Sequence, residues 1–296
     1  MNDSPFFSVI IPTYNRQETI CKSIESALKQ RCGDFELIVV DDGSTDDTQK
    51  IVLKFEDKRI RYFKSDNGER GRARNAGIKM SKGKYITFLD SDDILYENYL
   101  SKAKEICEKY SFPEVFRTAF EIKDTDGHIL ERTTLRNDTA NEALVYGNML
   151  ACLGVFVRSE VIENFLFIED RELAGTEDYE LWLRLGSRYT IYSNNTITAA
   201  ILHHNQRSVV HQNIKQLEGR IHLFIHYVFS DVANRIAYNH KKNLFIAMRY
   251  SYIALHAAIS DKKTTAIKYL ILAVVRYPKF PLFKRFYVVI YKILLS

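Results

Sequence analysis

The sequence is poor in the residues that mark several classes of protein. Its 296 residues include 5 prolines and one tryptophan, and no apolar run reaches the roughly 18 to 20 residues that span a bilayer. The four cysteines are scattered without a CxxC pair, and the N-terminus does not resemble a signal peptide. These absences predict a protein that is not integral to a membrane and that keeps its cysteines reduced in the cytoplasm.

Acidic residues are almost missing from the C-terminal part of the chain. Residues 232–296 contain 12 Lys and Arg but a single acid, Asp261, whereas the preceding residues carry a small excess of acids. The net charge of +5 therefore conceals two regions of opposite sign. This asymmetry predicts a basic, surface-binding tail on a neutral-to-acidic body.

Short apolar runs alternate with segments of helical periodicity in the first 100 residues. Such alternation predicts βαβ units around a parallel sheet, an α/β fold. The predicted strands are FSVII (Phe7–Ile11), FELIVV (ending at Val40), RIRYF (Arg59–Phe63) and YITFL (Tyr85–Leu89).

Polar residues follow three of these strands. They are the segments PTYNR (Pro12–Arg16), DDGS (Asp41–Ser44) and DSDD (Asp90–Asp93). Right-handed crossovers place the carboxyl ends of parallel strands at one edge of the sheet, where open α/β sheets bind ligands. The three segments are therefore predicted to form one rim.

Three carboxylates lie within four positions of the third segment. Because alternate residues of an extended chain project to the same side, Asp90 and Asp92 are expected to face one site and Asp93 to point elsewhere. Two carboxylates suit a hard divalent ion, Mg²⁺ or Mn²⁺. The alternative is that Asp92 or Asp93 caps a helix beginning near Ile94. The sequence contains no G-x-x-x-x-G-K-[ST] loop, which excludes a P-loop NTPase.

Five ordered motifs resemble the inverting glycosyltransferases of family 2, which have the GT-A fold. They are SVIIPTYNR (Ser8–Arg16), IVVDDGSTDDT (Ile38–Thr48), ARNAGI (Ala73–Ile78), YITFLDSDD (Tyr85–Asp93) and TEDYELWLRL (Thr176–Leu185). The resemblance covers roughly residues 5 to 210. It implies a nucleotide-sugar donor, usually a UDP-sugar, a metal ion on the DxD motif, and direct displacement at the anomeric carbon.

The resemblance also implies roles for individual residues. Thr13 would lie beside the nucleotide, Asp42 would accept from the uracil ring, and Asp90 would contact the ribose. Asp92 would bind the metal, with His203 or His204 as a further ligand. The full predicted nucleotide-sugar set is Pro12, Thr13, Asn15, Asp42, Arg70, Arg74, Asp90, Ser91 and Asp92.

The segment Asn67–Asn75 departs from the family pattern. Many relatives read N-x-G-x-x-x-A-R-N here, whereas this chain has Glu69 at the glycine position and adds two arginines. At least one of Arg70, Arg72 and Arg74 is predicted to face the base or the diphosphate, because guanidinium groups pair well with phosphate. The alternative is that they are solvated at the start of a helix.

An acidic pair precedes the helix predicted after Gly175. The resemblance implies that Asp178 is the general base and that Glu177 is a neighbour that contacts the acceptor. The alternative is that Thr176 caps the helix and that both acids merely interact with its dipole. Isolated histidines such as His203 and His204 also have an alternative, as plain surface or core residues.

The predicted organisation is a catalytic domain at 1–211 and a basic helical region at 212–296. Residues 1–110 would bind the nucleotide sugar and residues 111–211 the acceptor. The acceptor half is predicted to include a hairpin around Asp126-Gly127 and a helix over Asn141–Leu153.

The last 16 residues read as a basic amphipathic helix. Its apolar stripe is Leu282, Phe286, Val289 and Ile293, and its basic residues are Lys284, Arg285 and Lys292. Such a helix can lie on an anionic membrane, here the inner face of the cell membrane. The alternative is a helix packed on the catalytic domain, and the absence of a DNA- or RNA-binding module argues against a nucleic-acid partner.

The sequence thus predicts a metal-dependent, inverting glycosyltransferase that extends a lipid-linked or cell-surface glycan. A nucleotidyltransferase is a weaker alternative, since PTYNR is not its glycine- and arginine-rich signature loop. A GT-A-shaped protein that binds a nucleotide sugar or a partner enzyme without turnover is the other.

Overall fold

A computed structural model describes residues 4–203 and 213–295 of the chain. Within these residues the strands form one nine-stranded sheet, in the order β3-β2-β1-β4-β8-β6-β9-β5 with β7 paired to β6. The strands are β1 (Phe7–Thr13), β2 (Phe35–Asp41), β3 (Ile60–Lys64), β4 (Tyr85–Phe88), β5 (Ile94–Leu95), β6 (Val115–Lys123), β7 (Ile129–Arg132), β8 (Val155–Arg158) and β9 (Ile191–Leu202).

Helices cover both faces of this sheet and form the C-terminal region. Those in the first 202 residues are α1 (Ile20–Leu28), α2 (Thr48–Val52), α3 (Arg70–Met80), α4 (Tyr99–Lys109), α5 (Ser159–Ile162) and α6 (Glu177–Gly186). Those that follow are α7 (Ile214–Ser230), α8 (Val232–Tyr238), α9 (Lys242–Ile259), α10 (Lys263–Arg276) and α11 (Lys284–Leu295).

The first four strands are parallel neighbours, as the alternation of apolar runs and helices predicted. β1 pairs in parallel with both β2 and β4, and β2 pairs in parallel with β3. Strands β1 and β2 are buried over their whole length, which explains their nearly continuous apolar sequences. Beyond β4 the pairing becomes mixed, because β8 runs antiparallel to both β4 and β6.

The two faces of the sheet contribute to two separate hydrophobic cores. Ile10 and Ile38 point into one core, and their neighbours Val9 and Leu37 point into the other. This is the period-two alternation of a strand that is covered on both sides. The parallel strands are therefore fixed in position, and so are the loops at their carboxyl ends.

The C-terminal helices share the first of these cores with α6. Tyr179 of α6 stacks on Phe224 of α7 with ring centroids 5.0 Å apart, and Phe224 stacks in turn on Phe245 of α9 at 6.0 Å. All three side chains are buried. The helical region thus supports the back of α6, the helix that begins with the predicted catalytic acids.

The helix predicted over Asn141–Leu153 is wrong. Only Ala143–Val145 and Cys152–Gly154 form single 3₁₀ turns, and the residues between them form a loop. The hydroxyl of Tyr179 donates to the Leu144 carbonyl, and Arg249 donates to the Tyr146 carbonyl at 2.7 Å. A continuous helix would need both carbonyls for its own hydrogen bonds.

Of the two alternatives that placed acidic segments at helix starts, the first is wrong and the second is right only in position, because Glu177 and Asp178 do lie in the first turn of α6. Ile94–Leu95 is a short strand paired with β9, and α4 begins only at Tyr99, so Asp92 and Asp93 do not cap a helix. Thr176 does occupy the position before α6, but its hydroxyl donates to the Leu173 carbonyl at 2.9 Å instead of accepting from the helix.

The apolar stripe predicted at the C-terminus is largely turned inward. Phe286, Val289 and Ile293 pack on the first core, whereas Leu282 is 81% exposed. Arg285 is not on an exposed basic face: it is half-buried, and this burial lowers its pKa. The amphipathic pattern therefore reflects packing on the rest of the protein. Among the described residues, none of the helices combines the length and the apolar composition needed to cross a bilayer.

Candidate active site

A cleft of about 450 Å³ lies at the carboxyl ends of β1, β2 and β4. A volume of this size is typical of small-molecule sites. Its walls come from three strand ends, from α3, from the start of α6 and from the loop before β8. The lining residues are Pro12, Thr13, Tyr14, Arg16, Asp42, Asn67, Glu69, Arg70, Ala73, Arg74, Asp90, Ser91, Asp92, Asn148, Ala151, Cys152, Leu153, Gly175, Glu177, Asp178 and Ile201.

Asp42, at the end of β2, joins the cleft to the loop before α3. Its carboxylate accepts from the backbone of Gly68 at 2.8 Å and of Glu69 at 2.9 Å. Burial raises the pKa of Asp42, and these two hydrogen bonds oppose the rise. The carboxylate therefore fixes the loop that forms the cleft wall beside it.

Glu69 has a backbone conformation that is characteristic of glycine. Its φ is 83° and its ψ is 156°, a region that residues with a Cβ avoid. This is the position at which the sequence departs from the glycine of the family pattern. Glu69 therefore stores strain at the rim of the cleft, directly before α3.

Arg74 links the two sides of the cleft. It is 2% exposed, and its guanidinium lies 2.8 Å from Asp90 after β4 and 2.8 Å from Glu177 at the start of α6. Burial raises the pKa of Glu177, but the nearby Arg70 and Arg74 outweigh it and hold that pKa below the ordinary value. The network thus ties the end of β4 to α6 through Arg74 of α3, which lies 103 residues before Glu177 in the sequence.

The carboxylates of the DSDD segment diverge because the chain turns here instead of continuing β4 as a strand: the backbone N–H of Asp93 donates to the Asp90 carbonyl at 3.0 Å. Asp90 and Asp92 line the cleft, whereas Asp93 is buried elsewhere and accepts from the backbone of Leu202 at 3.1 Å. Asp92 also lies 4.0 Å from the guanidinium of Arg16. Asp90, Ser91 and Asp92 therefore face the same cleft.

The donor set of the cleft fits a hard divalent cation. Asp92 supplies a carboxylate at the cleft surface. The Thr13 hydroxyl oxygen, at the end of β1, is buried and has no hydrogen-bond partner among the described residues. When substrate phosphates bind Mg²⁺ or Mn²⁺, the protein needs to supply only a few ligands and must leave the remaining coordination positions open.

Asp178 faces the cleft from the first turn of α6. One carboxylate oxygen accepts from the backbone of Tyr179 at 2.7 Å, and the other accepts from the side-chain amide of Asn148 at 3.0 Å. Burial, and then the charge of Glu177, raise the pKa of Asp178 to about 7. A carboxylate with this pKa can accept a proton near neutral pH.

Two predicted site residues do not line the cleft, and a third cannot be placed. The Asn15 side chain instead accepts from the backbone of Thr45 at 2.9 Å and so fixes the neighbouring turn. His203 is exposed, its backbone N–H donates to Lys123, and it does not line the cleft, so the structure does not support it as a metal ligand. His204 lies outside the described residues.

Other lining residues were not predicted. Tyr14 and Arg16 belong to the PTYNR segment, and its position directly after β1 would have been enough to predict that they lie at the cleft. Asn148 and Cys152 lie in a segment without any motif, and only the fold brings them to the cleft.

Comparisons with known proteins agree with this architecture. The family described as Glycosyl transferase family 2 matches residues 8–151. A glycosyltransferase of Rickettsia bellii is 38% identical over 61% of this chain and 26% of its own length. The β-1,3-glucosyltransferase WfgD of Escherichia coli, named for UDP-Glc and α-D-GlcNAc-diphosphoundecaprenol, is 33% identical over 67% of this chain and 74% of its own length.

Solved structures share the fold. S. aureus TarS 1-349 in complex with UDP-GlcNAc has a TM-score of 0.70 and 20% identity, over 92% of this chain and 82% of TarS. Mannosyltransferase PcManGT from Pyrobaculum calidifontis, in complex with GDP-Man and Mn²⁺, has a TM-score of 0.59 and 16% identity, over 99% of this chain and 86% of that protein.

The lengths of the relatives differ widely. The chain spans between about a quarter and just under two-thirds of the Rickettsia relatives it matches, but 74% of WfgD. The family model, the sequence relatives and the fold of the solved structures agree with one another. The chain belongs to glycosyl transferase family 2.

Proposed function

We propose that the protein transfers a sugar, with inversion, from a nucleoside diphosphate donor to a hydroxyl group of a glycan or lipid-linked acceptor. One observation carries the proposal: Asp92, on the donor side, and Asp178, on the acceptor side, line the same cleft. A single displacement needs both a group that stabilises the leaving diphosphate and a group that accepts the acceptor proton.

The donor is a UDP-sugar in this proposal. Thr13 and Pro12 lie beside the nucleotide, Asp42 faces its base, and Asp90 contacts the ribose. Two comparisons support this choice, because WfgD is named for UDP-Glc and TarS was solved with UDP-GlcNAc. Arg70 faces the cleft from the N-terminus of α3, where a guanidinium and the positive end of the helix dipole favour phosphate.

Asp92 would hold a divalent metal ion, Mn²⁺ or Mg²⁺. When bound, such an ion neutralises charge on the diphosphate and makes it a better leaving group. The oxygen donors of the cleft fit this ion, and PcManGT was solved with Mn²⁺. Asp90 contributes less charge to the cleft, because Arg74 neutralises it at 2.8 Å.

Asp178 accepts the proton in the transfer step. The acceptor oxygen forms a bond to the anomeric carbon as the bond from that carbon to the phosphate oxygen breaks. The electron pair leaves on the diphosphate, and the acceptor proton moves to Asp178. Glu177 remains ionised because Arg70 and Arg74 stabilise its charge, and it keeps Asp178 basic through repulsion.

Hydrolysis of the donor tests this proposal without knowledge of the acceptor. A panel of UDP-sugars with Mn²⁺ is incubated with the wild type and with Asp178→Asn, Asp92→Ala and Glu131→Gln. Glu131 is exposed on β7 and serves as the control. We expect Asp178→Asn to bind UDP normally but to lose about 10²- to 10⁴-fold in turnover, and Asp92→Ala to lose metal-dependent turnover.

Wild-type turnover in Asp178→Asn would remove it from the role of base. The alternative is a protein that binds nucleotide sugars without turnover. It predicts binding in the same panel but no hydrolysis or transfer with any donor.

We also propose that the C-terminal helices bring the protein to the inner, anionic face of a membrane. The stripe predicted from sequence packs inward, but other apolar side chains are exposed. Ile267, Ile271 and Val275 repeat every four residues and so share one face of α10. Tyr287, Tyr291 and Leu294 are exposed on α11. Residues 232–296 contain 12 Lys and Arg, and the exposed ones among them complement anionic lipid, at about 1 kcal/mol for each one near the surface.

Vesicle co-sedimentation tests this attachment. We expect binding to vesicles with anionic phosphatidylglycerol, weaker binding to pure phosphatidylcholine, and loss of binding at high salt. Ile271→Ser/Val275→Ser should weaken binding. The control Leu130→Ser, which changes an exposed leucine on β7, should not. Equal binding to both kinds of vesicle in all variants would contradict a charge-driven attachment.

A further inference from the structure

The loop between the two 3₁₀ turns, residues 146–151, contacts the proposed base. Asn148 is exposed on this loop, and its side-chain amide donates to Asp178 at 3.0 Å. Its own amide oxygen accepts from the backbone of Leu150 at 3.2 Å, which fixes which end of the side chain faces the carboxylate. Asn148 therefore holds the oxygen of Asp178 that the backbone of Tyr179 leaves open.

The position of this loop is set from the C-terminal region. Arg249 of α9 is buried, and it donates both to the Tyr146 carbonyl at 2.7 Å and to the Tyr179 hydroxyl. Tyr179 in turn donates to the Leu144 carbonyl. A single guanidinium thus joins the loop that carries Asn148 to the helix residue that follows Asp178.

We propose that Asn148 is a positioning residue that orients the Asp178 carboxylate toward the acceptor hydroxyl, and that Arg249 holds its loop in place for this purpose. The inference rests on the proposed function, in which Asp178 is the base. A base must be held within hydrogen-bond reach and correct alignment of the proton it takes. Without Asn148, the second carboxylate oxygen of Asp178 would have no hydrogen bond from the described residues to fix its orientation.

The groups around Asp178 set its pKa, so the pH dependence of the reaction reports changes in them. The amide of Asn148 stabilises the ionised carboxylate and so lowers the pKa of Asp178, against the raising effects of burial and of Glu177. Other groups that interact electrostatically with Asp178 are Arg70, Arg74 and Cys152. Removal of the amide leaves these groups in place, so a shift in the pH profile reports the Asn148 contact itself.

The test measures UDP-sugar hydrolysis against pH for the wild type, Asn148→Ala, Asn148→Asp and the surface control Asn164→Ala. We expect Asn148→Ala to lower kcat about tenfold or more, with an unchanged KM for the donor and an unchanged unfolding midpoint. The acidic side of its pH–rate profile should shift to higher pH by about half a unit to one unit. Asn148→Asp has the same shape but adds a negative charge, so its profile should shift further.

The role of Arg249 is tested by comparing Arg249 variants with Asn148→Ala, alone and combined. Arg249→Met should shift the profile in the same direction, and Arg249→Met/Asn148→Ala should shift it no further than Asn148→Ala alone. Arg249→Lys, which keeps the charge and one donor, replaces Arg249→Met if the latter does not fold. Additive shifts in the double variant would overturn the role given to Arg249.

Failure of this inference is distinguishable from failure of the proposed function. If Asp178→Asn is inactive but Asn148→Ala and Asn148→Asp keep the wild-type kcat and pH profile, only the positioning role is overturned. If Asp178→Asn is fully active, the base assignment fails, and the role of Asn148 fails with it.

Discussion

Arg74 offers a quantitative test of the network that joins the two sides of the cleft. Its substitution by Met keeps an unbranched, helix-compatible side chain but removes the charge shared between Asp90 and Glu177. Glu177 is only 4% exposed, so the substitution leaves a buried carboxylate without its closest charged partner. Breaking a buried ion pair in this way typically costs about 3 to 5 kcal/mol.

The loss of stability caused by Arg74→Met should fall at the lower end of that range. Arg70 lies 3.9 Å from Glu177 and replaces part of the lost interaction. Asp90 is more exposed than Glu177, so water can solvate its charge. We therefore expect Arg74→Met to reduce the free energy of unfolding by about 3 kcal/mol.

A double-mutant cycle with Glu177→Gln isolates the pair. Denaturant unfolding at neutral pH is measured for Arg74→Met, Glu177→Gln and the double variant, with Arg31→Met as a control. Arg31 pairs with Glu97 at 3.5 Å, but both side chains are exposed, so its loss should cost less than about 1 kcal/mol. We expect a coupling of about 2 kcal/mol between Arg74 and Glu177. A coupling below about 0.5 kcal/mol would refute the reasoning.

Three further predictions concern backbone strain, packing and protonation. Glu69→Gly should raise the free energy of unfolding by about 1 kcal/mol, because glycine adopts a φ of 83° without strain. Gly77→Ala should cost about 1 to 3 kcal/mol, because the new methyl would lie 2.4 Å from Cγ2 of Ile10. Gly219→Ala, at an exposed position of α7 with open space around it, should instead stabilise by about 0.5 to 1 kcal/mol in the same unfolding assay. Hydrolysis of the donor should increase with pH through about 7, because burial raises the pKa of Asp178 to that value and only the ionised form accepts a proton; a profile flat from pH 5 to 8 would contradict this.

The donor side of the cleft could be predicted from sequence because its physics is local. Buried parallel strands are apolar over their whole length, and the residues directly after them must meet at one edge. Thr13, Asp42 and Asp90 were predicted in this way, and all three line the cleft. The expected direction of Asp93 is found, but strand alternation is not its cause, because residues 90–93 form a turn after β4.

The acceptor side depends on contacts between distant residues, and the sequence carries no local sign of them. The helical pattern of residues 141–153 is overruled because Tyr179 and Arg249 take the carbonyls that a helix would need. The contact between Arg249 and Tyr146 spans 103 residues. Asn148 reaches Asp178 only because of this loop.

The C-terminal helix illustrates a second limit of pattern reasoning. An amphipathic stripe specifies that one face is buried, but not what buries it. Phe286 and Val289 pack on the protein's own core, while Tyr287 and Tyr291 on the same helix are exposed. The choice between membrane and protein as a partner depends on the tertiary structure.

The anomeric configuration of the first product tests the central claim most directly. Wild-type protein with Mn²⁺ hydrolyses a UDP-α-sugar from the panel, and proton NMR follows the released sugar before it mutarotates. Direct displacement with Asp178 as the only base predicts that the β anomer appears first. Initial release of the α anomer would contradict a single displacement and the division of roles between the two sides of the cleft.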